Sequence, residues 1–175
     1  MLKKSARVGQ AIKILEQDED LTNDQLSFDL NVSPQMVSHM KNDRRVMQQD
    51  IAKDSIATYD NPEYIATIIR EFSGGYTTPV LQGKKIERHR LTLAASAVKE
   101  MSEAIQSLKN IMLVKPPETL ELNEKQEIER IYDEIHEATI FADNLLMQFE
   151  HDYHISKKKR IKLNTPRWKA RGWVQ

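Results

Sequence analysis

Five residues at the start of one short helical pattern carry most of the chemistry in this chain: Ser33, Pro34, Gln35, Ser38 and His39. The Gln35 amide offers a donor and an acceptor side by side, the pairing that matches the exposed edge of adenine. Ser38 and His39 can reach base edges or phosphate oxygens. Around them lie Asn23, Lys41, Asn42, Arg44 and Arg45, cationic or amide side chains suited to phosphate contacts. Such contacts orient a protein on a duplex without reading its sequence.

Two short helices must position these groups. Leu26 and Leu30 line the first and Val37 and Met40 the second, spaced so that each stripe faces the other. Ser27 is small where the helices approach. Val32 can fill the angle between them. Asn31 falls at the turn, where a left-handed backbone is needed and Asn is the best-tolerated residue after Gly. Ser33-Pro34 reads as an N-cap followed by the first helical position. The pair has the form of a helix-turn-helix, whose second helix enters the major groove of DNA.

On those residues, 5–60 resembles the lambda-repressor/Cro-type (XRE) DNA-binding domain, departing from the usual pattern conservatively at Ser27 and Asn31. The resemblance implies a bundle of about five helices. Ala6 to Gln17 is expected as the first, with Val8, Ile12 and Leu15 inward, and Thr22 as the cap of the second. The third, the recognition helix, runs from Pro34 to about Lys41. The fourth spans Gln48 to Tyr59 with Ile51, Ala52 and Ile56 packed, and the fifth runs from Asn61-Pro62 to near Phe72. More loosely, the whole arrangement looks like XRE-like regulators of phages and prophages of low-GC Gram-positive bacteria. That likeness implies a regulator of gene expression.

Charge is segregated along the chain. Residues 1–60 carry 8 Lys and Arg against 10 Asp and Glu, residues 61–115 carry 8 against 5, residues 116–155 carry 2 against 11, and residues 156–175 carry 8 against 0. The N-terminal domain is therefore not basic overall. Its attraction to phosphate must be local, from Lys3, Lys4 and Arg7 at one end and Lys41, Arg44 and Arg45 at the other. A single copy should bind DNA weakly, since phosphate neutralisation supplies much of the affinity. Cysteine is absent, which excludes disulfides and cysteine-rich zinc sites. With no apolar run of membrane-spanning length and no apolar leader after Met1, a soluble cytoplasmic protein without a membrane partner is expected.

The second half predicts a means of dimerisation. GGYTTPVLQG, from Gly74 to Gly83, reads as a connector. A long helical pattern follows from Ile86 to Val114, through Leu93, Ala97, Met101, Ala104, Leu108 and Ile111, and Pro116-Pro117 stops it. A second is expected from Asn123, with Gln126 completing a capping pair. It carries Ile128, Ile131, Ile135, Ala138, Ala142, Leu145 and Phe149 at alternating intervals of three and four. The expected fold is therefore all-α: an N-terminal five-helix domain over residues 1–73, a connector over 74–85, and a long antiparallel helical hairpin over 86–155. The last 20 residues, 156–175, form a basic tail with Trp168 and Trp173, read as docked with a basic exposed face. Self-association of the hairpin into a homodimer would cover its remaining apolar residues and match two-fold DNA sites. A hairpin that captures a host protein is the competing reading, and a replication-associated DNA-binding protein is another.

An enzyme is the alternative of a different class. Glu100 and Glu103 on the first long helix and Glu134 and Glu137 on the second are spaced to share helix faces and could hold Mg²⁺. In outline the hairpin is similar to all-α nucleotide pyrophosphohydrolases of the MazG type, but the acidic pattern of that family is incomplete here. No catalytic residue, metal ligand or cofactor is assigned. His151 and His154 share a face without a third ligand at matching spacing.

Overall fold

The computed structural model describes residues 2–111, 113 and 115–175. Among these, eight α-helices and one two-stranded sheet make the chain predominantly helical, as the sequence implies. It divides into two compact units, residues 1–80 with 149–175, and residues 81–148. None of the described helices is long and apolar enough to cross a membrane.

In the first unit, strand β1 (Ser5–Ala6) pairs antiparallel with β2 (Met47–Gln48), in the register Ser5 to Gln48 and Ala6 to Met47. Helix α1 spans Gly9–Glu19, α2 Asn23–Asp29, α3 Pro34–Lys41, α4 Gln49–Thr58 and α5 Pro62–Ser73. The N-terminal helix thus starts three residues later than expected, because Ser5 and Ala6 join the ladder. Likewise Gln48 belongs to β2, and α4 ends one residue before Tyr59, which is extended. Pairs of two residues carry too little periodicity to show in a sequence.

Local chemistry fixes these helices. The Thr22 hydroxyl accepts from Gln25 N at 3.3 Å while the Gln25 side chain accepts from Thr22 N at 2.8 Å, a reciprocal capping box. Ser33 Oγ accepts from Met36 N at 3.1 Å, and Asn61 Oδ1 from Tyr64 N at 2.9 Å, each just before a proline at the first helical position. Gly74 ends α5 in the left-handed region, where a side chain would be strained. The core joins all five helices: Val8, Ile12 and Leu15, Leu26 and Leu30, Val37 and Met40, Ala52, and Tyr64, Ile68 and Phe72. Burial pushes the Tyr64 hydroxyl up to about 12, opposed by the neighbouring Ser55 hydroxyl.

The second unit holds α6 (Arg90–Asn110), a 3-10 turn at Pro117–Thr119 and the start of α7 (Leu122–Tyr153). The first long helix is shorter than its pattern predicts. His89 caps it, its ring nitrogen accepting from Leu91 N at 3.3 Å, and Ile111 is already extended. Val114 lies outside the described residues. The capping pair expected at Asn123 and Gln126 is replaced by Glu124, whose carboxylate accepts from Glu121 N at 2.9 Å. Leu93, Ala97 and Ala104 are buried on α6, and Ile131 and Ala138 on α7, but the seam position Ile135 is 38 % exposed. Instead Asn144 and Met147 are buried. Asn144 Oδ1 accepts from Leu81 N at 2.8 Å, tying down the start of the unit.

The last 20 residues are not an irregular tail. Helix α8 spans Lys157–Ala170 within the first unit, capped by Ser156, whose hydroxyl accepts from Lys159 N at 3.2 Å.

Candidate nucleic-acid interface

Helix α3 is held from one side only. Val37 and Met40 are fully buried against the core, and α2 and α1 pack on that face. The left-handed turn residue Asn31 (φ 51°) brings α2 into α3 as its sequence position implies. Ser33, Pro34 and Gln35 then project exposed at the first turn, while Ser38 and His39 are half-buried along the helix. The Gln35 amide therefore keeps both its donor and acceptor at the surface.

The far end of α3 is locked by interactions that no short-range pattern announces. Asp43, left-handed at φ 54°, turns its Oδ1 to accept from Gly9 N at 3.0 Å, satisfying a donor at the start of α1. Gly9 must lack a side chain for this: a Cβ there would lie 2.6 Å from the Lys41 carbonyl oxygen and 2.9 Å from the Asp43 carboxylate. Lys41, expected to meet phosphate, pairs with Glu16 of α1 at 2.5 Å. It serves to fasten α3 to α1. Asn42 Nδ2 donates to Ser38 O at 2.8 Å and closes the last turn. The Arg44 and Arg45 amides both donate to His39 O, at 2.8 and 3.2 Å, so the loop backbone is pinned while both guanidinium groups stand exposed.

Asn23 is half-buried, with its amide oxygen withdrawn from solvent and unpartnered. Two exposed apolar side chains fall on the same helix pair and are not singled out by the motif: Phe28 on α2, 86 % exposed, and Met36 beside Gln35. Phe28 lies off the Leu26–Leu30 stripe, which is the signal that could have flagged it.

Three of the four candidate acids, Glu100, Glu103 and Glu134, are engaged with cations. Lys99 Nζ donates to Glu100 at 3.0 Å and to Glu103 at 3.2 Å, and Arg130 pairs with Glu127 at 2.7 Å and Glu134 at 3.5 Å. Among the described residues, no group of three or more His, Asp or Glu is placed to hold a metal ion.

What the arrangement can do chemically is present one polar helix start, with flanking arginines, to a partner that offers edge hydrogen bonds beside phosphates. No protein-family model, curated protein or solved structure matches this chain.

Proposed function

We propose that the protein is a sequence-specific DNA-binding transcriptional regulator of the phage or prophage type, acting in the cytoplasm as a homodimer. In this reading residues 1–73 form a lambda-repressor-like five-helix domain, with α3 as the recognition helix. Helices α6 and α7 form an antiparallel hairpin that joins two copies. The observation that carries the reading is the one-sided burial of α3: Val37 and Met40 sealed, Ser33 to Gln35 in water. Gln35, Ser38 and His39 read base edges, and Asn23, Asn42, Arg44 and Arg45 hold phosphates. No catalytic role is assigned.

The test is selection of binding sites from random duplex DNA by the purified chain. Enrichment of an inverted repeat, with half-sites about one helical turn apart, is the expected result. Recovery of no preferred sequence overturns the proposal. The exposed apolar residues of α6 favour a second reading, an adaptor whose hairpin takes up a host protein.

A further inference from the structure

Helix α8 gives the first unit something its five-helix bundle lacks. Residues 1–80 carry 9 Lys and Arg against 12 Asp and Glu; residues 149–175 add 8 against 2. The formal charge of the unit thus changes from −3 to +3 through this one segment. A bundle carrying −3 is repelled by a phosphate backbone at distance, whatever its local arginines do.

The helix is fastened down at its start. Lys158 Nζ donates to the carbonyl oxygens of Ile56 at 2.5 Å and Tyr59 at 2.9 Å, capping α4, and lies 3.6 Å from Asp60. Tyr59 in turn donates its hydroxyl to Asp29 at 2.5 Å. Asp29 ends α2, four residues before Ser33. Through Tyr59, the anchor of α8 is therefore linked to the last residue of α2.

The orientation of α8 follows from its own spacing. Asn164, Thr165 and Trp168 are half-buried and share one face with Ile161, at intervals of three and four. Lys159, Arg160, Lys162 and Arg167 lie on the opposite arc and are exposed. Among the described residues none of these four pairs with a carboxylate. A face of cations without acids, on a helix anchored at the end of α4, is complementary to a polyphosphate backbone.

We infer that α8 is a second DNA-contacting element, clamping the phosphates beside the site that α3 reads; the inference rests on the DNA-binding reading above. It supplies affinity and attraction at distance, and no sequence preference.

The test uses the full chain with Lys159→Gln, Arg160→Gln, Lys162→Gln and Arg167→Gln together, leaving Lys158 and Trp168 in place. Titrations against a selected duplex and a scrambled one, between about 50 and 200 mM salt, should show affinity about tenfold or more lower for both. The slope of log K against log salt should flatten by about 0.9 for each phosphate no longer neutralised, with the ratio between duplexes kept. Unchanged affinity and slope overturn the inference. So does a variant that dissociates from dimer to monomer in sedimentation, which would place these cations against the acidic face of α7 in a second copy. Binding of the parent chain to phosphatidylglycerol vesicles that duplex DNA does not displace overturns it as well. A parent chain that enriches an inverted repeat while the variant keeps its slope removes α8 alone. A chain that binds every duplex equally, through α8, removes the recognition reading alone.

Discussion

At the scale of single residues, the roles proposed for the exposed amide of Gln35 and the exposed guanidinium of Arg44 are separable. On the proposed reading, Gln35→Ala deletes a paired interaction with one base and should cost about 1–3 kcal/mol on the preferred duplex, while barely changing the scrambled one. Arg44→Ala removes a proposed phosphate partner and should weaken both duplexes alike, with a shallower salt dependence. Electrophoretic or fluorescence titrations on both duplexes check the pair; equal losses for both variants on both duplexes would mean that Gln35 reads nothing. Gly9 tests the lock behind the helix. Gly9→Ala forces a methyl against the Lys41 carbonyl and Asp43, backbone and short side chain that cannot both retreat. The expected loss is about 1–3 kcal/mol in denaturant unfolding, as for other overpacked sites. Affinity for DNA should fall with it, because the shift displaces the end of α3.

Among the elements, α8 depends on a compromise at its first turn. Glu150, in the last turn of α7, accepts from Lys157 N at 3.0 Å through one carboxylate oxygen, an acid at a helix N-terminus. Its other oxygen is buried without a partner. Burial raises the Glu150 carboxyl above its ordinary value, Asp60 adds to the rise, and the Lys157 amide opposes it. A folded-state value raised above the unfolded one stabilises the fold fully at acid pH, and that contribution is lost as pH rises through the folded value. Glu150→Gln keeps the acceptor and removes the charge. It should melt higher than the parent at pH 7, by no more than about 1 kcal/mol because the group is only half withdrawn from water, and equally with it near pH 4. A lower melt at pH 7 would show that the charge on the helix end outweighs its burial.

The same contrast between near and distant partners explains which elements the sequence reveals. The caps at Thr22, Ser33 and Asn61 and the turn at Asn31 each act within three or four residues, so their chemistry is written locally. Pairing of Ser5–Ala6 with Met47–Gln48, the Gly9–Asp43 latch and the Lys41–Glu16 pair join segments far apart in the chain. Nothing near any one of those residues signals them. Lys41 is the instructive case: by type and position it suits phosphate, and its pairing with Glu16 appears only once α1 is in place. Helix α8 is hidden for another reason, since Pro166 and a narrow half-buried face mimic an irregular tail. Ile135 fits the heptad pattern of α7 yet stays partly in water, because α7 buries Asn144 and Met147 instead.

For the molecule as a whole, the proposed DNA affinity is expected to come from two copies, because a unit of formal charge +3 with one proposed recognition helix offers few groups to phosphate. The means lies on α6. Leu91, Val98 and Ile105 follow one another at seven-residue intervals and are 68 %, 64 % and 51 % exposed, with Met101 and Leu108 beside them. A stripe of that period fits the proposed seam between two copies. It lies next to, and not within, the face that buries Leu93, Ala97 and Ala104, so substitution there leaves the packing of the unit intact. Val98→Glu with Ile105→Glu places two like charges from each copy across a two-fold seam. The parent chain should sediment as a dimer at micromolar concentration and the double variant as a monomer with unchanged helicity. Binding to a single half-site should be retained, while binding to the full inverted repeat falls by the factor that linkage of two sites supplies, about 10²-fold or more. A double variant that remains dimeric and binds the repeat normally would move the two-fold interface elsewhere in the chain and leave the α6 stripe to another protein.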